Sequence, residues 1–258
     1  MPRIPALFVG HGSPMNAVEE NPHTRAWRAL GETLPKPRAI LAISAHWYVR
    51  GTAVTAMAQP KTIHDFYGFP QALYQVSYPA PGDSWLVARA QALAKPRTVM
   101  ADNEWGLDHG TWSVLVHMYP DANVPVVQLS IDSSLPAAEH YAIGRQLAPL
   151  RDEGVLIFAS GNVVHNLRTA KWGDEAVPYP WATAFNANIR EAVLQGRHDA
   201  AVNPVEFGEP AALSIPTAEH YLPLLYVLGA KADGEPVSFP TDGIELGSIS
   251  MLAVLLGR

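Results

Sequence analysis

Five short runs rich in apolar residues constrain this chain more than any other feature: Ala6–Val9, Ala39–Ala45, Val54–Met57, Val124–Leu129 and Val155–Ala159. Their Val, Ile, Leu and Ala residues do not alternate with polar ones, as a strand with one wet face would. Strands of this kind belong to a sheet covered on both sides. Helical patterns lie between them. One opens at Asn21-Pro22, with asparagine as cap and proline at the first helical position, and turns Trp27, Leu30 and Leu34 inward. Others span about Ser84–Ala94, Thr111–Met118, Ala137–Leu150 and Trp181–Leu194. This alternation predicts an α/β fold with a central, mainly parallel or mixed sheet flanked by helices. The closing MLAVLLGR reads as a further strand. The Pro-rich stretches are short and interleaved with aromatics, so they read as ordered loops, and no internal repeat is present. Residues 1–258 are therefore expected to form a single domain.

Composition removes several classes of function. There is no cysteine, which excludes disulfides, thiolate zinc sites, iron–sulfur clusters and cysteine nucleophiles. A metal would have to be held by histidine, carboxylate or backbone oxygen. A net charge of −6 without a basic run argues against nucleic acid as a partner. Neither apolar terminus is long enough for a signal-peptide core or a membrane span, so no membrane partner and a cytoplasmic location are expected. P-loop, GxGxxG, HExxH and GxSxG motifs are all missing.

The chain has 10 histidines, and their positions carry the functional signal. Three predicted strands run into one: Ala6–Val9 into Gly10-His11-Gly12, Ile40–Ile43 into Ser44-Ala45-His46, and Val155–Phe158 through Ser160-Gly161-Asn162 to His165. In an open parallel sheet the carboxyl ends of strands gather along one edge, where ligands bind. Any one of these imidazoles could be a structural group bonded to a carbonyl. His11 and His46 together read better as a pair of metal ligands. His220, in Thr217-Ala218-Glu219-His220-Tyr221-Leu222-Pro223, sits just before a helix whose first turn takes Pro223, with Glu219 as a rival ligand. His109, in Asp108-His109-Gly110, leads into another helix as an oriented acid–base group or a helix-start residue. His117 and His140 read as packing or surface residues within helical patterns. Trp47, Phe66, Tyr67 and Tyr221, with Tyr48, could wall an aromatic pocket or belong to the core, and Asp65–Pro70 could form its lid.

Taken together, Gly10-His11-Gly12-Ser13-Pro14, Ser44-Ala45-His46-Trp47, Gly106 through Trp112, Ser160-Gly161-Asn162 through Asn166, and Pro216 through Leu224 resemble the class III extradiol ring-cleavage dioxygenases, in the 4,5-DOPA extradiol dioxygenase branch. The motifs occur in family order nearly end to end. The resemblance implies an α/β fold with a metal at one sheet edge, held by His11, His46 and His220. It implies His165 as a nearby acid–base group or additional ligand, and His109 as a group touching substrate. Many non-haem iron oxygenases use two histidines and a carboxylate, whereas here His220 takes the third place. Three imidazoles also suit zinc. The expected cofactor for turnover is Fe(II), with Zn(II) as an alternative occupant, and the expected substrates are a catechol and O2. Two rival functions are a zinc hydrolase using the same histidines and a non-catalytic metal- or aromatic-binding protein.

Overall fold

The computed structural model describes residues 3–173 and 176–257. Among these residues ten strands form: β1 (Ala6–Gly10), β2 (Ala39–Val49), β3 (Thr52–Thr55), β4 (Val99–Asp102), β5 (Val126–Asp132), β6 (Val155–Gly161), β7 (Val237–Ser238), β8 (Ile244–Glu245), β9 (Ile249–Ser250) and β10 (Ala253–Leu256). Eight of them make one sheet in the order β4-β3-β5-β2-β6-β1-β10-β7, while β8 and β9 pair as a separate hairpin. The four middle strands, β5, β2, β6 and β1, run parallel. On one side β10 is antiparallel to β1 and β7; on the other β3 is antiparallel to β5 and parallel to β4. The result is a single α/β domain around a mixed sheet.

Burial on both faces follows from the apolar runs. On β1, Ala6 and Phe8 enter one core and Leu7 and Val9 the other. The first core is closed by helices α3 (Ser84–Leu93), α5 (Ala137–Leu147), α6 (Pro180–Leu194) and α9 (Leu222–Gly229), with the short α7 (His198–Val202) and α8 (Glu209–Ser214) adding Ala201 and Ala211. The second is closed by α1 (Pro22–Thr33) and α4 (His109–Met118), with the short α2 (Gln71–Tyr74) adding Leu73. Asn21 caps α1 as expected: its side chain accepts from the amides of His23 and Thr24, and the Thr24 hydroxyl accepts from the Asn21 amide. Where α5 crosses α9, Gly144 packs so tightly that a Cβ there would lie 2.3 Å from the Tyr226 carbonyl oxygen.

The structure departs from the sequence expectation at several boundaries. Helix α5 stops at Leu147 and continues as a 3-10 turn over Ala148–Arg151, because Pro149 has no N–H to extend the α-helical ladder. Helix α4 begins at His109 rather than Thr111, since Asp108 caps it through its side chain. Strand β2 does not end before His46 but runs to Val49. Ile43 pairs with Leu129 and Tyr48 with Ile131, so residues 44–47 bulge against a single residue of β5. A bulge of this kind re-aims side chains, and here it displays His46.

His140 on α5 is fully buried, with its Nδ1 2.9 Å from the Tyr226 hydroxyl. Burial lowers its pKa to about 4. Because the folded value lies below the unfolded value near 6.5, the unfolded chain takes up the proton first on acidification. The associated stability is intact above about pH 6.5 and lost as pH falls toward 4. Chemical denaturation at pH 7 and pH 5 is expected to show a shallower pH dependence for His140→Gln, by roughly one proton's worth of slope. Equal slopes for the two proteins would sink this assignment.

Candidate metal centre

The strand register brings the site together. Val9 of β1 and Ser44 of β2 both pair with Ser160 of the intervening β6, so all three lie in one row near the carboxyl edge. His11 follows one residue beyond the β1–β6 pairing at Gly10–Gly161, and its amide donates to the Gly161 carbonyl at 3.1 Å. The bulge of β2 carries His46 to the same edge. His220 arrives on the turn before α9, fixed to the end of β6 by a bond from the Asn162 amide to its carbonyl at 2.8 Å. The ring centroids of His11, His46 and His220 lie 5.1, 5.1 and 5.4 Å apart, a nearly equilateral triangle.

Each of these rings is anchored through Nδ1. The Ser160 hydroxyl lies 2.5 Å from the Gly110 carbonyl, which can only accept, so the hydroxyl donates there and accepts from His11 Nδ1 at 2.9 Å. Asp65 places one oxygen 3.2 Å from His46 Nδ1, and Glu219 places one 3.2 Å from His220 Nδ1. Hydroxyl and carboxylate acceptors behind Nδ1 leave Nε2 as the free ligand atom, the arrangement that orients metal-binding histidines. The Nε2 atoms of His11 and His46 stand 3.2 Å apart. Two ring nitrogens with lone pairs facing each other in a buried setting fit a shared cation, each at a bond length of about 2.0–2.1 Å. Gly110 makes room for this: a Cβ there would lie 2.9 Å from the His46 ring.

Two more imidazoles complete the cluster. His109, on the first turn of α4, lies 3.9 Å from the His46 ring, and its Nδ1 is 2.9 Å from the second oxygen of Asp65. That contact is off the ring N–H direction, so it is electrostatic rather than an aligned hydrogen bond. His165 stacks on His220 at 3.5 Å with ring planes 6° apart. The potential ligand atoms fall into two adjoining groups, His11, His46 and His109 on one side and His165, Glu219 and His220 on the other. Asp108 braces both β2 and α4: it accepts from Ser44 Oγ at 2.6 Å, from the Gln128 side chain, and from the Thr111 amide.

Burial and mutual repulsion set the charges. Burial, then the neighbouring imidazoles, holds His11 and His220 well below the ordinary histidine pKa. Burial lowers His109, and lowers His165 to about 4. Burial also opposes charge on His46, but the Asp65 bond and the Asp108 charge outweigh it and raise its pKa. For Asp65 itself burial would raise the pKa, yet His109 and His46 hold it far below the usual carboxylate range. Four of the five rings, all but His46, are thus biased toward the neutral form, which suits them to face a cation.

A cavity of about 570 Å³ opens onto all five histidines and is walled by Phe66, Tyr67, Phe69 and Trp172. Phe66 and Tyr67 lie where sequence placed them, in the wall. Trp47 and Tyr221 do not: Trp47 is buried in a stack with Trp105, and Tyr221 is buried with its hydroxyl donating to the Ala201 carbonyl at 2.7 Å. Each has its polar or apolar needs met within the core. Sequence reasoning missed Asp65 and Ser160 as anchors; a carboxylate at the head of an aromatic stretch was the one signal for Asp65. Glu219, read as a rival ligand, stands behind His220 and also accepts from Thr217 at 2.7 Å. A more open depression of about 630 Å³ near Asn186, Arg190 and Asp242 has no histidine in its lining.

Among the described residues no helix is long and apolar enough to cross a membrane. The profile of the family described as the catalytic LigB subunit of aromatic ring-opening dioxygenase matches residues 5–250. The chain is 58% identical over 259 residues to the 4,5-DOPA dioxygenase extradiol of Escherichia coli (strain K12), covering 99% of this chain and 95% of that protein. To the 4,5-DOPA dioxygenase extradiol of Beta vulgaris it is 40% identical over 235 residues, 88% of this chain and 87% of that one. The crystal structure of an uncharacterized protein from Escherichia coli K12 matches with a TM-score of 0.87 at 52% identity, covering 99% of this chain and 100% of that chain. The activity is that of a metal-dependent extradiol dioxygenase, and neither the hydrolase nor the non-catalytic reading is favoured. With a histidine-lined metal site at the edge of its sheet and a family match over nearly its whole length, this chain belongs to the LigB family of aromatic ring-opening dioxygenases.

Proposed function

We propose that His11, His46 and His220 hold a single Fe(II) and that the enzyme opens the ring of a DOPA-like catechol with O2. The observation that carries this reading is the common anchoring of the three rings through Nδ1, with two of the free Nε2 atoms 3.2 Å apart. When bound, the ion would supply a Lewis acid for the catechol oxygens and a meeting point for O2. Zn(II) fits the same three nitrogens, and a zinc-loaded protein is expected to bind catechol without consuming oxygen.

The protein's own groups supply the proton traffic. His165 lines the cavity beside His220, and burial keeps it neutral at working pH. It is therefore the group to accept the proton that a catechol hydroxyl releases. His109, backed by Asp65, guides the ring from the opposite side. Phe66 and Phe69 exclude water above it. Replacing His165 by alanine is expected to lower kcat about 10²–10⁴-fold with metal content unchanged. A variant that keeps its rate would return His165 to a packing role.

The direct test is anaerobic Fe(II) loading followed by a panel of catechols in air, read by oxygen uptake and by a yellow ring-fission product. If no catechol consumes oxygen, this reading fails.

A further inference from the structure

We propose that Glu245 recognises the substrate's side chain, so that the cavity takes catechols bearing an ammonium group in preference to neutral or carboxylate-only ones. This rests on the ring-opening reading above. The first support is the charge of the cavity. Apart from the five histidines and Asp65, its only titratable lining groups among the described residues are Tyr67 and Glu245; no lysine or arginine lines it. Lys171, next to Trp172 in the chain, is turned elsewhere, with Nζ 3.2 Å from the Val177 carbonyl and 4.0 Å from the Tyr179 ring centre.

The second support is availability. Asp65 spends both oxygens on His46 and His109. Glu245 meets only His23, whose Nε2 lies 3.1 Å from Oε1, and its other oxygen has no protein partner among the described residues. The third is rigid presentation. The β8–β9 hairpin turns through Leu246 and Gly247, with φ of 50° and 76°. A leucine held in the left-handed region needs a surrounding structure that insists on it. The Lys171 amide donates to the Leu246 carbonyl at 2.8 Å, the Tyr179 amide to Gly247 at 2.9 Å and the Asn166 amide to Ser248 at 3.2 Å. A catechol with its hydroxyls at the histidine end directs its substituent toward the mouth. There Tyr67 and Trp172 offer aromatic faces and Glu245 a carboxylate, a combination that attracts an ammonium. A carboxylate with no ammonium beside it would meet anions with no cation to balance it.

The test is anaerobic calorimetric titration of zinc-loaded protein with three probes: 2-(3,4-dihydroxyphenyl)ethylamine, 4-ethylcatechol and 3-(3,4-dihydroxyphenyl)propionate. The amine is expected to bind about tenfold more tightly than 4-ethylcatechol, as one charge-assisted bond allows, and the carboxylate more weakly than either. Glu245→Gln should bring the amine-to-neutral ratio close to one, and Glu245→Asp should restore part of it. His23→Gln, which opens the clasp but keeps the carboxylate, should retain the preference. An unchanged ratio in Glu245→Gln, or an equal loss in His23→Gln, overturns the proposal in favour of a structural clasp. Oxygen uptake by the Fe(II)-loaded protein with the same probes separates this failure from that of the ring-opening reading. Absence of binding by all three, with oxygen uptake by the Fe(II)-loaded protein retained, overturns this proposal alone; loss of both binding and uptake overturns both.

Discussion

Replacing His46 by alanine is expected to abolish metal-dependent ring opening, with oxygen uptake falling about 10³-fold or more. His46 supplies one Nε2 of the facing pair, 3.2 Å from that of His11. Without it a bound cation keeps at most part of its ligand set, and Lewis-acid stabilisation of several kcal/mol is lost, each 1.36 kcal/mol being tenfold in rate. Asp65→Asn grades the same effect. It keeps the shape of the side chain but removes the charge that sits 3.2 Å behind His46 and 2.9 Å from His109. A loss of about 10–100-fold in metal affinity or rate is expected, as for other anchors behind metal-binding histidines. Metal content per chain and an oxygen electrode read both variants, with far-UV circular dichroism as the folding control. A folded His46→Ala protein that retains metal and turns over normally removes His46 from the ligand set.

The second large effect is on stability and lies far from the chemistry. Arg151 is completely buried. Its guanidinium donates to the carbonyls of Ile4, Ala230 and Leu256 and to both oxygens of Glu235. These bonds tie the entry to β1, the end of α9 and the end of β10 to one point. Arg151→Met would strand a half-buried carboxylate and three carbonyls, at a cost of about 3–5 kcal/mol. Adding Glu235→Leu to the same protein should recover part of that loss, because the uncompensated charge goes with it. Urea denaturation of the two proteins checks the order; equal stability of Arg151→Met and wild type would remove Arg151 as a structural hub. Burial alone would push the Glu235 pKa up, but Arg151 holds it below the ordinary value. The stability it contributes is therefore present above the unfolded carboxylate pKa and is lost as pH falls through the folded one.

Much of the frame was legible because it depends on local physics. Apolar-rich runs announce strands covered on both faces, and Asn21-Pro22 announces a helix start, whatever the rest of the chain does. The edge strand β4 and the β8–β9 hairpin escaped notice. Val99–Asp102 offers only three apolar residues on a largely exposed edge, and the hairpin strands are two residues each. Residue type alone leaves Trp47 and Tyr221 open to either the pocket wall or the core. Which face of an element an aromatic occupies depends on the bulge in β2 and on the packing of α9, neither of which has a local signal.

By itself the sequence determined that an α/β sheet would carry His11 and His46 to its carboxyl edge, because strand propensity and chain order suffice for that. It also limited any metal to histidine, carboxylate or backbone-oxygen ligands, since cysteine is absent. Only the tertiary structure decided which acceptor stands behind each ring. Ser160 is 149 residues from His11, and Asp65 reaches His46 and His109 from a loop of its own. The tautomers and charges of the site depend on those contacts, and contacts between distant segments exist only once the two cores have closed around the sheet.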